Sequence, residues 1–158
     1  MMKKAAGFTM LELVIVVALV SILSAIAVPQ FSLWAQSNRL NSGSLSIRFT
    51  LMLARSSAIT KNSNVVVAFS TSADGSYTVF VDEDGDYSQG SDEEVLEEGT
   101  MPTGISLYLT DFEDDKACYN PMGIPDSDGT VYLKDSAAGN VRQIILAATG
   151  NVKIEAGP

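Results

Sequence analysis

The chain has 158 residues and a formal net charge of −9, with nineteen Asp and Glu against ten Lys and Arg and no histidine. Without imidazole there is no Ser-His-Asp or Cys-His catalysis, and the commonest metal ligand is gone. Cys118 is the single cysteine, so no intrachain disulfide forms, and the acid excess repels phosphate backbones, so no nucleic acid is expected as a partner.

Lys3 and Lys4 precede an apolar run from Phe8 to Val28 in which Glu12 is the only charge. About 20 helical residues cross a bilayer core, and flanking lysines keep the N-terminus cytoplasmic. A single-pass membrane helix with an exported, acidic remainder is therefore expected. A carboxylate inside that helix costs roughly 2.5–3.5 kcal/mol on insertion scales. Three readings compete: a secretory signal peptide cut after Ala25-Ile26-Ala27, a plain anchor, or a cut between Gly7 and Phe8 ahead of the apolar run. Glu12 only weakens the first two. In the third, the new α-amino group of Phe8 lies four residues from Glu12, one helical turn away, and can pair with it or with that of a neighbouring chain.

Lys3-Lys4, Gly7-Phe8-Thr9, Leu11-Glu12-Leu13 and the later Pro29 resemble the N-terminal signature of type IV pilins and type II secretion pseudopilins. The resemblance implies cleavage after Gly7 by a prepilin peptidase, N-methylation of Phe8, and an assembly role for Glu12. It also implies other pilins or pseudopilins as filament partners, a bacterial inner-membrane helix and a periplasmic head. The expected segments are a leader (1–7), a transmembrane and assembly segment (8–28), an amphipathic continuation (29–61) and a β-rich head (62–158).

After Pro29 the helical rhythm continues to about Thr60, for a total of about 75 Å at 1.5 Å per residue. Two apolar stripes run along it. Trp34, Leu45, Phe49, Met52 and Ile59 form one; Leu33, Leu40, Ile47, Leu51 and Ala58 form the other. The first is expected to face the head's own core and the second to face neighbouring chains.

Beyond Lys61 short alternating strands are expected around 64–70, 77–81, 105–110, 131–133, 144–146 and 152–154, with Asp74-Gly75 as a hairpin signal. The expected fold class is α+β, a long N-terminal helix packed on a C-terminal antiparallel β-sheet head. A second resemblance covers the head. Ala54-Arg55-Ser56-Ser57-Ala58-Ile59 with Asn62, Asn120-Pro121-Met122-Gly123, Gly129-Thr130-Val131, Arg142-Gln143-Ile144 and Gly150 are similar to GspH/FimT-type minor pseudopilins. Those proteins usually carry arginine after the last glycine, where this chain has Asn151. Some FimT-like relatives use basic C-terminal residues in DNA uptake, whereas only Arg142 and Lys153 remain near this end.

No Gly-rich phosphate loop and no zinc-type cysteine pair is present, so no catalytic activity and no cofactor are expected. Cys118 reads as an inert small residue in a strand or loop. Nine carboxylates fall between Asp82 and Glu98 without a Lys or Arg among them. Asp82, Asp84, Asp86 and Glu93 match calcium-loop ligand spacing, but Tyr87 stands where the turn calls for glycine. The expectation is a solvated, exposed hairpin loop over residues 82–93 that holds no metal. The functional reading is a minor pilin or pseudopilin; the alternative is a membrane-anchored periplasmic binding module that never polymerises.

Overall fold

The computed structural model describes residues 9–72 and 75–157 and divides into two compact units, Met1–Ala35 and Gln36–Pro158. One helix, α1 (Met10–Lys61), contributes to both. The strands that follow are β1 (Asn64–Ser70), β2 (Ser76–Asp82), β3 (Val95–Thr100), β4 (Ile105–Thr110), β5 (Lys116–Tyr119), β6 (Gly129–Asp135), β7 (Val141–Leu146) and β8 (Val152–Ala156). They form two four-stranded antiparallel sheets, ordered β3-β2-β1-β5 and β4-β6-β7-β8. The expected α+β class, a long helix followed by antiparallel sheets, is the class found.

Helix α1 runs through Pro29, whose ring nitrogen cannot donate to the carbonyl one turn back. Just beyond, the Ser32 hydroxyl donates to the Pro29 carbonyl at 2.8 Å. The helix stops at a defined cap. Asn62 adopts φ +53°, and Ser63 N–H donates to the Ala58 carbonyl at 3.3 Å. That is a Schellman closure with asparagine in the left-handed position usually taken by glycine.

Within Gln36–Pro158 the helix buries Leu40, Gly43, Ser44, Ile47, Thr50, Leu51, Ala54 and Ala58, a spacing of three and four residues that makes one stripe. This stripe shares a core with Val65, Val67, Val79 and Tyr119 of the first sheet and Leu107, Val131, Leu133 and Ile144 of the second. Small residues set its depth. A Cβ on Gly43 would lie 3.4 Å from Leu133 Cδ1, so the helix backbone comes close to the second sheet. The opposite face of the first sheet carries a smaller cluster of Val66, Phe80 and Cys118. Strand β1 is therefore buried on both faces, and its unbroken valine run follows from that.

The expected assignment of the two helix stripes is reversed. Ile47 and Leu51 are fully buried, whereas Phe49 and Met52 are 63% and 49% exposed, and Leu45 and Ile59 are exposed beside them. Leu33 is also exposed, unlike the other members of its stripe. The head selects the face that carries Gly43, Ser44, Ala54 and Ala58, because only small side chains let a helix lie close to two sheets at once. The bulkier face cannot approach as closely.

Two strands lie outside the expected set. Strand β3 contains Glu97 and Glu98 and pairs with β2 as the edge of its sheet, where charges discourage pairing with another chain. Strand β5 is short and pairs with β1. Asp74 of the anticipated hairpin turn falls outside the described residues, while β1 and β2 pair as that hairpin requires.

The reversal is measurable. Ile47→Ala or Leu51→Ala should cost the head about 2–5 kcal/mol, as large-to-small core changes do. Phe49→Ala and Met52→Ala should stay within about 0.5 kcal/mol of the parent, as exposed positions do. Denaturant titration of the detergent-solubilised chain, followed by the β-sheet circular dichroism signal, distinguishes the two sets; a larger loss from Phe49→Ala and Met52→Ala than from Ile47→Ala and Leu51→Ala would restore the original assignment.

Candidate assembly surface and acidic loop

Every described residue from Thr9 to Trp34 is exposed, most of them apolar. This part of α1 is long and apolar enough to cross a membrane. Ser21 and Ser32 satisfy their hydroxyls on the helix's own carbonyls, as an apolar surrounding favours. Ser21 Oγ donates to the Val17 carbonyl at 2.8 Å, and Phe31 and Trp34 lie with ring centroids 5.6 Å apart.

Gly7 and Phe8 lie outside the described residues, and Glu12 stands in the first turn of α1. Its backbone N–H donates to Thr9 Oγ1 at 3.1 Å, and Leu13 N–H donates to the Thr9 carbonyl at 3.2 Å. Thr9 is thus an N-cap, with Glu12 three residues on, the spacing of a capping box. A carboxylate there also complements the positive end of the helix dipole. Sequence reasoning missed this second role, although Thr-x-x-Glu was there to be read. Among the described residues the Glu12 carboxylate has no ion-pair partner.

The head brings together the residues of the second resemblance, which are far apart in sequence. Arg55 Nη1 donates to the Gly150 carbonyl at 3.1 Å. Gly150 has φ +79°, and a Cβ there would sit 3.1 Å from the Arg55 guanidinium. Gly123, at φ +73°, lies under Ile59, whose Cδ1 would be 2.6 Å from an added Cβ. Asn120 builds that turn: its Oδ1 accepts from Met122 N–H at 2.9 Å and Ile124 N–H at 3.1 Å. Arg142 Nη2 donates to Asn41 Oδ1 at 3.3 Å. The last turns of α1 are thereby fastened to the loop after β5 and the turn before β8.

The acidic loop corrects the expectation of full exposure. Residues 83–92 are exposed, but Asp82, the last residue of β2, is only 2% exposed. Its Oδ1 accepts from Gly85 N–H at 2.9 Å. Burial pushes its carboxyl above the ordinary carboxylate range, the Gly85 N–H pulls the other way, and the charge of Glu93 raises it further. Tyr87 adopts φ +60°, and its hydroxyl donates to Asp126 Oδ2 at 3.0 Å. Cys118, buried in β5, has its thiol pushed up to about 12, first by desolvation and then by Asp126. It is a packing residue with negligible thiolate at neutral pH.

Two family models match the chain. The prokaryotic N-terminal methylation motif covers residues 2–28, and the family described as Type II transport protein GspH covers residues 45–150. The chain belongs to the GspH family, the type IV pilin-like minor pseudopilins. The pilin-like protein PilA1 of Thermus thermophilus is 26% identical over 94% of this chain and 97% of its own length. The type IV minor pilin FimU of Pseudomonas aeruginosa has a similar fold, with a TM-score of 0.60 at 14% identity over 78% of this chain and 96% of that one. The minor pseudopilin EpsH from the type 2 secretion system of Vibrio cholerae gives 0.58 at 12% identity, over 75% and 97%. At such identities the structural likeness speaks for the pilin-like fold alone. The GspH match begins at Leu45 and ends at Gly150, so it takes in the Arg55–Gly150 fastening from one side to the other.

Gly123→Ala and Gly150→Ala should each destabilise the head by about 1–3 kcal/mol, the cost of holding a non-glycine residue in left-handed backbone. For Gly123 the clash with Ile59 adds to it. A fall in the melting temperature of the detergent-solubilised chain checks both; unchanged melting would mean these turns are free to rearrange.

Proposed function

We propose that the chain is a filament subunit: cut between Gly7 and Phe8 by a prepilin peptidase, methylated at Phe8, held in the inner membrane by α1 with its head in the periplasm, and then drawn into a pilus or pseudopilus. It performs no catalysis in this reading. The observation that carries the proposal is the uncovered apolar surface of α1 from Met10 to Trp34, interrupted by one carboxylate near the start. Lipid covers such a surface before assembly, and helices of neighbouring subunits cover it afterwards. The methylation motif over residues 2–28 supports the processing step.

Glu12 supports the assembly step through its electrostatics. A lone carboxylate in an apolar surrounding is costly until an opposite charge meets it. Methylation leaves the α-amino nitrogen of Phe8 cationic, so a neighbour's N-terminus or its own meets that need. Partner choice would then be set by whether a subunit's positive end reaches the neighbour's carboxylate. On the head, the exposed row of Leu45, Phe49, Met52 and Ile59 supplies a second apolar contact for adjacent subunits.

Intact-mass measurement of membrane-extracted protein should show loss of residues 1–7 and gain of one methyl group. A chain starting at Val28 would instead signal ordinary signal-peptide cleavage and end the filament reading. Glu12→Ala should leave cleavage and membrane insertion intact, since it removes a desolvation cost, yet reduce crosslinking to the major subunit by about tenfold or more, in line with loss of a buried charge partner. Normal cleavage with no crosslinking even in the parent chain would favour the non-polymerising binding module.

A further inference from the structure

Strand β2 ends in a buried acid with one oxygen unanswered. Asp82 Oδ1 accepts from Gly85 N–H, while Asp82 Oδ2 is buried and has no hydrogen-bond partner among the described residues. One oxygen each from Asp82, Asp84 and Asp86 lie within 4.8 Å of one another. From this convergence we propose that residues 82–93 form a calcium-binding loop, with Asp82, Asp84, Asp86 and Glu93 supplying carboxylate oxygens to the ion.

An ionised oxygen taken out of water without a donor is costly, and two further carboxylates beside it add repulsion. A positive charge at their centre resolves both. No side chain supplies one: residues 82–93 contain no Lys or Arg, and the one ion pair among the described residues, Lys61 to Glu94 at 2.7 Å, lies just past the loop. All the donors are hard oxygens, which suit calcium over softer transition metals. Calcium accepts six to eight ligands in flexible geometry, whereas magnesium demands a tighter octahedron and gives up its waters reluctantly.

The order of ligands follows the twelve-residue calcium loop. Asp82, Asp84 and Asp86 occupy its first, third and fifth positions, the Ser88 carbonyl its seventh and Glu93 its twelfth. The objection that Tyr87 replaces the glycine of the sixth position falls, because Tyr87 adopts φ +60° and so makes the left-handed turn that glycine normally supplies. The bond from its hydroxyl to Asp126 keeps it there. Glu93 already reaches across the loop: Oε1 accepts from Glu83 N–H at 3.1 Å and Oε2 from Gly90 N–H at 2.8 Å. Its carboxylate is thereby tied to the backbone at both ends of the loop.

The test uses the detergent-solubilised full chain, stripped with chelator and titrated calorimetrically with calcium chloride, with magnesium chloride as the control for screening. The expected result is saturable binding near one ion per chain and a melting temperature that rises with calcium and far less with magnesium. Asp84→Asn, at an exposed position that leaves the fold alone, should weaken calcium at least about tenfold, and Glu93→Gln likewise. Asp92→Asn, outside the ligand set, should change affinity less than about twofold. Unsaturable heats that are equal for both cations would overturn the proposal, as would an Asp84→Asn chain that binds calcium like the parent.

Discussion

A helix of 52 residues has far more surface than the strands after it can cover, and the rest of the structure follows from how that surface is divided. Within Gln36–Pro158 the helix gives up one stripe, from Leu40 to Ala58, to a core shared with both sheets. What remains is a bulky apolar row that stays in solvent. Met10–Trp34 gives up nothing, since none of its residues is buried. Apolar area is worth about 25 cal/mol per Å² when taken from water, so leaving this much uncovered is sustainable only where lipid or other chains take water's place.

The covered stripe is built for closeness and not for bulk. Gly43, Ser44, Ala54 and Ala58 bring the helix backbone near the sheets, and Leu40, Ile47 and Leu51 fill the space between. The end of the helix is then locked from several directions, by the Asn62 closure, by Arg55 on the Gly150 carbonyl and by Ile59 over Gly123. These contacts give Gly123 and Gly150 a physical reason: both stand where backbone must turn left-handed against a helix side chain. A rigid head on the helix end lets the apolar row of Leu45, Phe49 and Met52 present a fixed surface.

Much of this was legible in the sequence. The apolar run with its single carboxylate, the continuation of the helix past Pro29 and the valine-rich β1 follow from periodicity and composition. Strand β3 was hidden because Glu97 and Glu98 resemble loop sequence until an edge position explains them. The two helix stripes are equivalent as patterns, so periodicity alone does not choose between them; only the presence of two sheets makes small residues the better face. Asp82 looked like one more solvated acid, because its burial depends on what packs over the end of β2. Tyr87 looked disqualifying, because a φ angle is not written in a side chain. The Thr9 cap on Glu12 was legible and went unread.

The central claim is that neighbouring subunits cover what the head leaves bare. Thiol labelling at position 49 tests it most directly, since native Cys118 is buried with its thiol held protonated and should stay silent. A Phe49→Cys chain should react readily with a maleimide when extracted as a free subunit and be strongly protected in isolated filaments, returning to full reactivity on dissociation. Labelling at the same rate in the free and assembled states would contradict the account, because the exposed row of the helix would then face solvent in both.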